Sequence, residues 1–149
     1  AKGDKPSTTD KREGGIINCG RDWNPMLIMF NYFDRFWWAG PLMGHGGSSI
    51  SGPMTNALFG SLRAGVRPIS DLDIQVKGAY AVADKKPSGY QDKEYGWEID
   101  VTATYKITNN LSYMLGGGYF FTGDYFKGTS SANKVVDDFL LINKLTLTF

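Results

Sequence analysis

The sequence predicts an all-β fold, a transmembrane antiparallel up-and-down β-barrel of which this 149-residue chain supplies about five or six C-terminal strands. Three observations predict it: apolar and polar residues alternate over long stretches, the connections alternate in length, and aromatic residues lie near the ends of the apolar faces. Residues 95–107 are the clearest stretch, with apolar side chains at the odd positions and mostly polar ones between them. Such alternation places the two sets on opposite faces of a strand, and the stretch exceeds the roughly 9–11 residues that cross a bilayer.

Residues 1–53 are predicted to be an irregular N-terminal region. Residues 1–15 are rich in Lys, Asp, Ser, Thr and Gly, which favours a mobile segment or a surface loop. Residues 27–33 fit either one strand or part of a large loop. The aromatic-rich residues 23–38 fit packing against the barrel wall or a partner, a constriction of the lumen or stacking on a sugar-like solute. Packing is the favoured role, because aromatic rings most often contribute buried area.

Residues 54–149 are predicted to be barrel strands. The alternating stretches are residues 58–66, 72–83, 95–107, 111–121 and 139–149, joined by residues 67–71, 84–94, 108–110 and 123–136. These connections resemble the tight periplasmic turns and longer extracellular loops of outer-membrane barrels. If the short turns face the periplasm, the C-terminus is periplasmic as well. Pairing across residues 108–110 predicts that Tyr105 lies opposite Tyr113 and Trp97 opposite Phe121.

The composition limits the classes of partner. A net charge of +1, from 16 basic and 15 acidic residues, gives no electrostatic case for nucleic acid. The mean hydropathy of −0.28 is compatible with a barrel, because inward polar residues offset outward apolar ones. The longest apolar run, residues 26–30, is far shorter than the roughly 20 residues of a transmembrane helix. Cys19 is the only cysteine, and the start at Ala1 fits either a removed signal peptide or a position inside a longer protein.

The polar sides of the predicted strands are expected to line a water-filled passage and to set its charge preference. The alternative is that these side chains are ordinary solvated groups in paired charges. The pore-lining candidates are Arg63, Asp73, Gln75, Lys77, Glu98, Asp100, Thr102, Thr104, Lys106 and Lys144. Glu98 and Asp100 stand two residues apart, a spacing that could suit a glycosidase pair but that any polar lumen strand also shows.

Aromatic side chains on the apolar sides are expected to form lipid-facing girdles, because Trp and Tyr combine an apolar ring with a polar atom that stays hydrated. The girdle candidates are Tyr80, Tyr95, Trp97, Tyr105, Tyr113, Tyr119, Phe121, Phe139 and Phe149. The run of glycines at residues 116–118 lacks the context of a phosphate loop, which favours close packing or curvature within a strand. His45 has no neighbouring metal ligands. No catalytic set, metal site or cofactor is predicted, and the chain is not expected to be an enzyme.

The last predicted strand resembles the C-terminal recognition signal of bacterial outer-membrane proteins, a terminal aromatic residue preceded by apolar residues at every second position. The matching residues are Phe139, Leu141, Leu145, Leu147 and Phe149, and Asn143 departs from the pattern. Residues 84–126, with the motifs DKKP, YGWEID and FTGDYF, are similar to the C-terminal portion of large porin-like barrels related to alginate-export channels. The resemblance implies a bacterial outer-membrane location and passive transport.

Five or six strands are too few for a complete barrel, since single-chain bacterial barrels have even strand numbers of about eight or more. An open sheet edge in hydrocarbon would leave backbone groups unpaired. The expected partners are membrane lipid and the remainder of the barrel, as another chain or a further segment, with copies of this chain the less favoured route. The expected function is a porin-like channel for small hydrophilic solutes. The alternatives are a non-conducting barrel that is a scaffold or sheath for a partner such as a redox protein, and a soluble β-domain that binds a ligand on its apolar face.

Overall fold

Five long β-strands form most of the described structure. The computed structural model describes residues 25–30 and 56–149. The strands are β1 (Ala57–Ile69), β2 (Leu72–Ala83), β3 (Glu94–Lys106), β4 (Leu111–Thr122) and β5 (Asp138–Leu147), and a short 3-10 helix spans Asp124–Lys127. Within the described ranges, no helix has both the length and the apolar character needed to cross a membrane. Cys19, His45 and most of the aromatic-rich residues 23–38 lie outside these ranges.

The strands form one antiparallel up-and-down sheet in the order β1-β2-β3-β4-β5. The prediction of an all-β fold with five antiparallel strands is confirmed. β1 and β5 are not paired with each other, so the sheet is not closed within the described residues. A sixth strand at residues 27–33 is not formed over its first part, because residues 26–30 adopt bends and a turn. Residues 31–33 lie outside the described ranges.

The connections between strands follow the predicted alternation. Residues 70–71 and 107–110 are short turns, whereas residues 84–93 and 123–137 are longer loops. The short turns lie at one end of the sheet, called the turn end, and the longer loops lie at the opposite end, called the loop end. The predicted register of β3 and β4 is confirmed, since Tyr105 pairs with Tyr113 and Trp97 with Phe121. The rings of Trp97 and Phe121 stack with their centroids 4.1 Å apart.

One face of the sheet, called the apolar face, consists of large apolar side chains that remain exposed. Each of these side chains is between 39% and 85% exposed. They are Leu58, Leu62, Val66, Val76, Tyr80, Trp97, Ile99, Val101, Tyr105, Tyr113, Leu115, Tyr119, Phe139, Leu141, Leu145 and Leu147. The surface of a soluble protein usually carries scattered apolar residues, whereas this apolar surface extends across five strands.

Most of the girdle candidates lie on the apolar face, as the alternation predicts. Those with an exposed ring on this face are Tyr80, Trp97, Tyr105, Tyr113, Tyr119 and Phe139. Phe121 is half-buried beside Trp97, and Phe149 follows the end of β5 and is fully exposed.

Tyr95 is the exception, and its prediction as a lipid-facing residue is wrong. Its side chain is 0% exposed and contacts Phe30 and Tyr125, which lie on the opposite side of the sheet. The cause is a β-bulge at the start of β3, where the pairing with β2 shifts register and Gly96 adopts a φ of 121°. One extra residue in a strand reverses the face of the side chains beyond it.

The second face, called the polar face, carries a small core at its loop end. Segment 25–30, the residues from Pro25 to Phe30, covers this part of the sheet, and its residues 26–30 are at most 7% exposed. The buried alanines Ala79, Ala81 and Ala83 of β2 are small enough to leave room for it. The core consists of Met26, Ile28, Met29, Phe30, Ala57, Ala79, Ala81, Ala83, Tyr95 and Phe120. Toward the turn end, by contrast, residues 61–69 of β1 are exposed on both faces.

Candidate functional site

Glu98 and Asp100 form the centre of the candidate site, on the polar face of β3. Both are 0% exposed beneath segment 25–30. The Leu27 N–H donates to Asp100 Oδ2 at 2.8 Å. The Ile28 N–H donates to Glu98 Oε1 at 2.7 Å, and the Met29 N–H donates to Glu98 Oε2 at 2.6 Å. Two carboxyl groups on one strand therefore hold three successive backbone amides of the segment.

This arrangement pairs three backbone amides of the segment with three of the four carboxyl oxygens. Residues 26–30 lie in bends and a turn, so their backbone amides are not part of a strand ladder. A buried N–H without an acceptor is costly, and so is a buried carboxyl group without donors. Successive N–H groups that point to one side form a concave site for acidic groups. Here Glu98 and Asp100 of β3 supply the acidic groups, so the segment is bound by its main chain.

Lys77 brings a third side chain to the site from the neighbouring strand β2. It is the cross-strand partner of Asp100, and its Nζ donates to the Pro25 carbonyl oxygen at 3.4 Å. Asp100 Oδ1 is buried and has no hydrogen-bond partner among the described residues. The main chain of segment 25–30 is thus bound at the carbonyl of residue 25 and at the amides of residues 27–29.

Gly116 and Gly118 of β4 leave space for the segment. They are the cross-strand partners of Thr102 and Asp100. A Cβ at Gly116 would lie 3.2 Å from Leu27 Cδ1, and a Cβ at Gly118 would lie 2.5 Å from Asp100 Oδ1. The interpretation of the glycine run as close packing within a strand is confirmed for these two residues.

Gly118→Ala is expected to destabilise the folded protein by about 1–3 kcal/mol, because the added methyl group must displace the Asp100 carboxyl group. Gly117→Ala is the matched control, since the nearest atom to a Cβ there is 3.9 Å away. Alanine at position 117 is expected to be neutral or slightly stabilising. Urea unfolding midpoints of both variants and the parent measure the difference. Equal midpoints for the two variants would contradict tight packing at Gly118.

All the pore-lining candidates share the polar face, as cross-strand pairs such as Arg63 with Lys77 and Lys77 with Asp100 show. The structure divides them into two groups. The first group contacts segment 25–30 and consists of Lys77, Glu98 and Asp100. The expectation of solvated side chains is wrong for Glu98 and Asp100, because the segment covers both. Arg63 lies in the same cross-strand row as Lys77 and Asp100, and the remaining candidates lie nearer the turn end: Asp73, Gln75, Thr102, Thr104, Lys106 and Lys144.

An open cavity of about 400 Å³ lies at the turn end of the polar face. Arg63, Arg67, Asp73 and Gln75 line it. The Arg67 Nε donates to Asp73 Oδ2 at 2.8 Å, and the Gln75 Nε2 donates to Asp73 Oδ1 at 2.7 Å. The sequence pattern places Arg67 in a turn and therefore does not predict this ion pair. In the structure β1 continues to Ile69, so Arg67 belongs to the strand.

Segment 25–30 is the main part of the site that the alternation does not identify. Three of the four carboxyl oxygens of Glu98 and Asp100 accept its backbone amides, so this pair binds a peptide segment. The available signals were an isolated apolar run after Pro25 and small residues at inward positions of β2 and β4. Neither signal says which strands the run contacts.

Comparison with known proteins assigns no family to this chain. No protein-family model, no curated protein and no solved structure matches it.

Proposed function

We propose that this chain is part of an outer-membrane β-barrel channel that allows passive diffusion of small hydrophilic solutes. The observation that carries the proposal is the apolar face, which extends over all five strands and remains exposed. Apolar surface in water costs about 25 cal/mol for each Å², whereas lipid acyl chains would solvate it. The opposite face carries the charged and hydroxyl side chains that suit a water-filled passage.

Strand lengths and aromatic positions support a membrane setting. The strands contain between 10 and 13 residues, and about 9–11 tilted residues cross a bilayer. Tyr80, Trp97 and Phe121 are neighbours on three strands near the loop end, and Tyr105 pairs with Tyr113 near the turn end. The step from residue 97 to residue 105 corresponds to about 20 Å along the membrane normal, at about 3.3 Å per residue and a tilt near 40°. The apolar band of known barrels is about 25 Å tall, with aromatic girdles at its edges.

Among the described residues, β1 and β5 each pair with a strand on one side, which indicates what a closed barrel would need. In hydrocarbon each unpaired backbone group costs several kcal/mol, so further strands would have to pair with both edges. Because neighbouring strands alternate in direction, β1 and β5 run the same way. Copies of this five-strand sheet around one axis would therefore meet with parallel strands. An odd number of additional strands permits antiparallel pairs throughout, which favours the remainder of the barrel, as another chain or a further segment.

The complete protein, reconstituted in a planar lipid bilayer, is expected to produce stepwise increases in ion conductance. The physical reason is that the polar face would line a continuous water-filled passage. The same preparation, heat-denatured in the same detergent, is the control. A bilayer that stays sealed although folded protein has inserted would contradict a channel. That result would favour a non-conducting barrel that is a scaffold or sheath for a partner such as a redox protein.

A further inference from the structure

Segment 25–30 is bound to the sheet through its main chain, by side chains that are distant in sequence. Its three amide hydrogen bonds join residues that are 73, 70 and 69 positions apart. Lys77 of β2 adds a contact to the Pro25 carbonyl oxygen. Because backbone groups make these bonds, β2 and β3 determine the path of the segment over the polar face.

The segment also fills the space above the loop end of the polar face. The Phe30 ring contacts Phe59 of β1 and Tyr95 of β3, with centroids 5.2 Å and 6.5 Å away. Leu27 lies over Gly118 of β4, where a Cβ would be 3.4 Å from Leu27 Cβ. The segment therefore reaches across four strands. The turn end of the same face keeps its open cavity.

We propose that segment 25–30 is the size-limiting constriction of the passage, held in place by a latch of Lys77, Glu98 and Asp100; this inference rests on the channel function proposed above. Glu98 is the principal positioning residue, because its two oxygens hold two successive amides. The segment narrows the passage at the loop end and excludes larger solutes there, whereas the turn end of the same face keeps its open cavity. Weakening the latch releases the segment and widens the passage.

Thiol labelling measures whether the segment is seated on the sheet. Met29→Cys keeps the backbone N–H and places a thiol at a position that is 0% exposed, and Cys19→Ser removes the native thiol. In the complete reconstituted protein, the thiol at position 29 is expected to resist a membrane-impermeant maleimide. Adding Glu98→Gln is expected to raise its labelling rate by about tenfold or more. A glutamine has only one acceptor oxygen, so its NH₂ group must face the N–H of Ile28 or Met29.

Asp73→Asn is the matched control for the labelling experiment. Asp73 is a carboxyl group on the same face, but its partners are Arg67 and Gln75. With Asp73→Asn, the thiol at position 29 is expected to stay protected. Labelling of the parent at the rate of urea-unfolded protein would overturn the proposal. Equal labelling rates in the Glu98→Gln and Asp73→Asn variants would overturn it as well.

Single-channel conductance measures whether the seated segment narrows the passage. Met29→Pro removes the amide that donates to Glu98 Oε2, whereas Met29→Ala removes the same side chain and keeps that amide. Position 29 lies outside the strands, so neither variant substitutes a strand residue. The two variants therefore test the proposal even if Glu98→Gln fails to fold. Met29→Pro is expected to conduct more ions than Met29→Ala and to admit larger neutral polymers.

The conductance results separate the two proposals from each other. Equal conductance and equal polymer cut-off for Met29→Pro and Met29→Ala would refute the constriction and leave the channel intact. A sealed bilayer for both folded variants would refute the channel itself, and the constriction with it. A higher conductance for Met29→Pro, together with protection of position 29 in the parent, supports both.

Discussion

Val101→Arg is expected to destabilise the folded protein in a lipid bilayer by about 2–4 kcal/mol, the range for a charged residue on the lipid face at the midplane. Val101 lies near the middle of β3 on the apolar face, between its cross-strand partners Val76 and Gly117. It is 48% exposed, so an arginine there needs no room inside a core. The expected cost comes from placing a guanidinium group among acyl chains, far from either membrane surface.

Ile107→Arg is the matched control for this substitution. Ile107 is also 48% exposed, but it follows the end of β3 at the turn end. Near the membrane surface the expected cost falls to about 0–1 kcal/mol. Urea unfolding of both variants in lipid vesicles measures the difference. In a water-soluble protein both exposed substitutions would change stability by about 0.5 kcal/mol or less, so two small and equal effects would contradict the membrane proposal and favour a soluble β-domain.

Gly96→Ala is expected to destabilise the folded protein by about 2–6 kcal/mol, from strained backbone and overpacking of about 1–3 kcal/mol each. The φ of 121° at Gly96 lies in the region that side chains other than glycine rarely adopt. A Cβ would overlap the Phe121 carbonyl oxygen and lie 2.9 Å from the Gly123 nitrogen. These are backbone atoms beside the bulge, and they cannot move without disturbing the pairing of β3 with β4.

Gly60→Ala is the control for the bulge, because a Cβ at Gly60 meets no atom within 4 Å. Alanine there is expected to be neutral or to stabilise the protein by about 0.5–1 kcal/mol, since glycine weakens a strand interior. The same unfolding assay compares the two variants. A Gly96→Ala protein as stable as Gly60→Ala would show that β3 does not need the bulge, and the inward position of Tyr95 would then lose its explanation.

The strands and their register could be predicted because both depend on local patterns. Side chains alternate with a period of two, so the apolar residues of β3 and β4 identify one face of each strand. The short turn at residues 107–110 then leaves one register that keeps the apolar residues together, and Trp97 pairs with Phe121 accordingly. The same pattern placed the charged candidates on the polar face.

The inward position of Tyr95 and the coverage of Glu98 and Asp100 could not be predicted in this way. A bulge shifts the alternation by one residue, and Gly96 within an apolar-polar pattern does not reveal its φ in advance. The coverage depends on contacts between residues about 70 positions apart. Alternation shows which face a carboxyl group occupies, but it carries no information on what lies above that face.

The different sequence separation of these contacts predicts the order in which the parts assemble. Among the described residues each strand pairs only with its neighbours in the chain, so the sheet can grow hairpin by hairpin. The contacts of segment 25–30 close loops of 69–73 positions, and the entropic penalty for closing a loop increases with its length. Its binding surface also exists only after β2 and β3 have joined. We therefore expect the newly made protein to form the sheet first, with its polar face still uncovered, and to bind segment 25–30 there last.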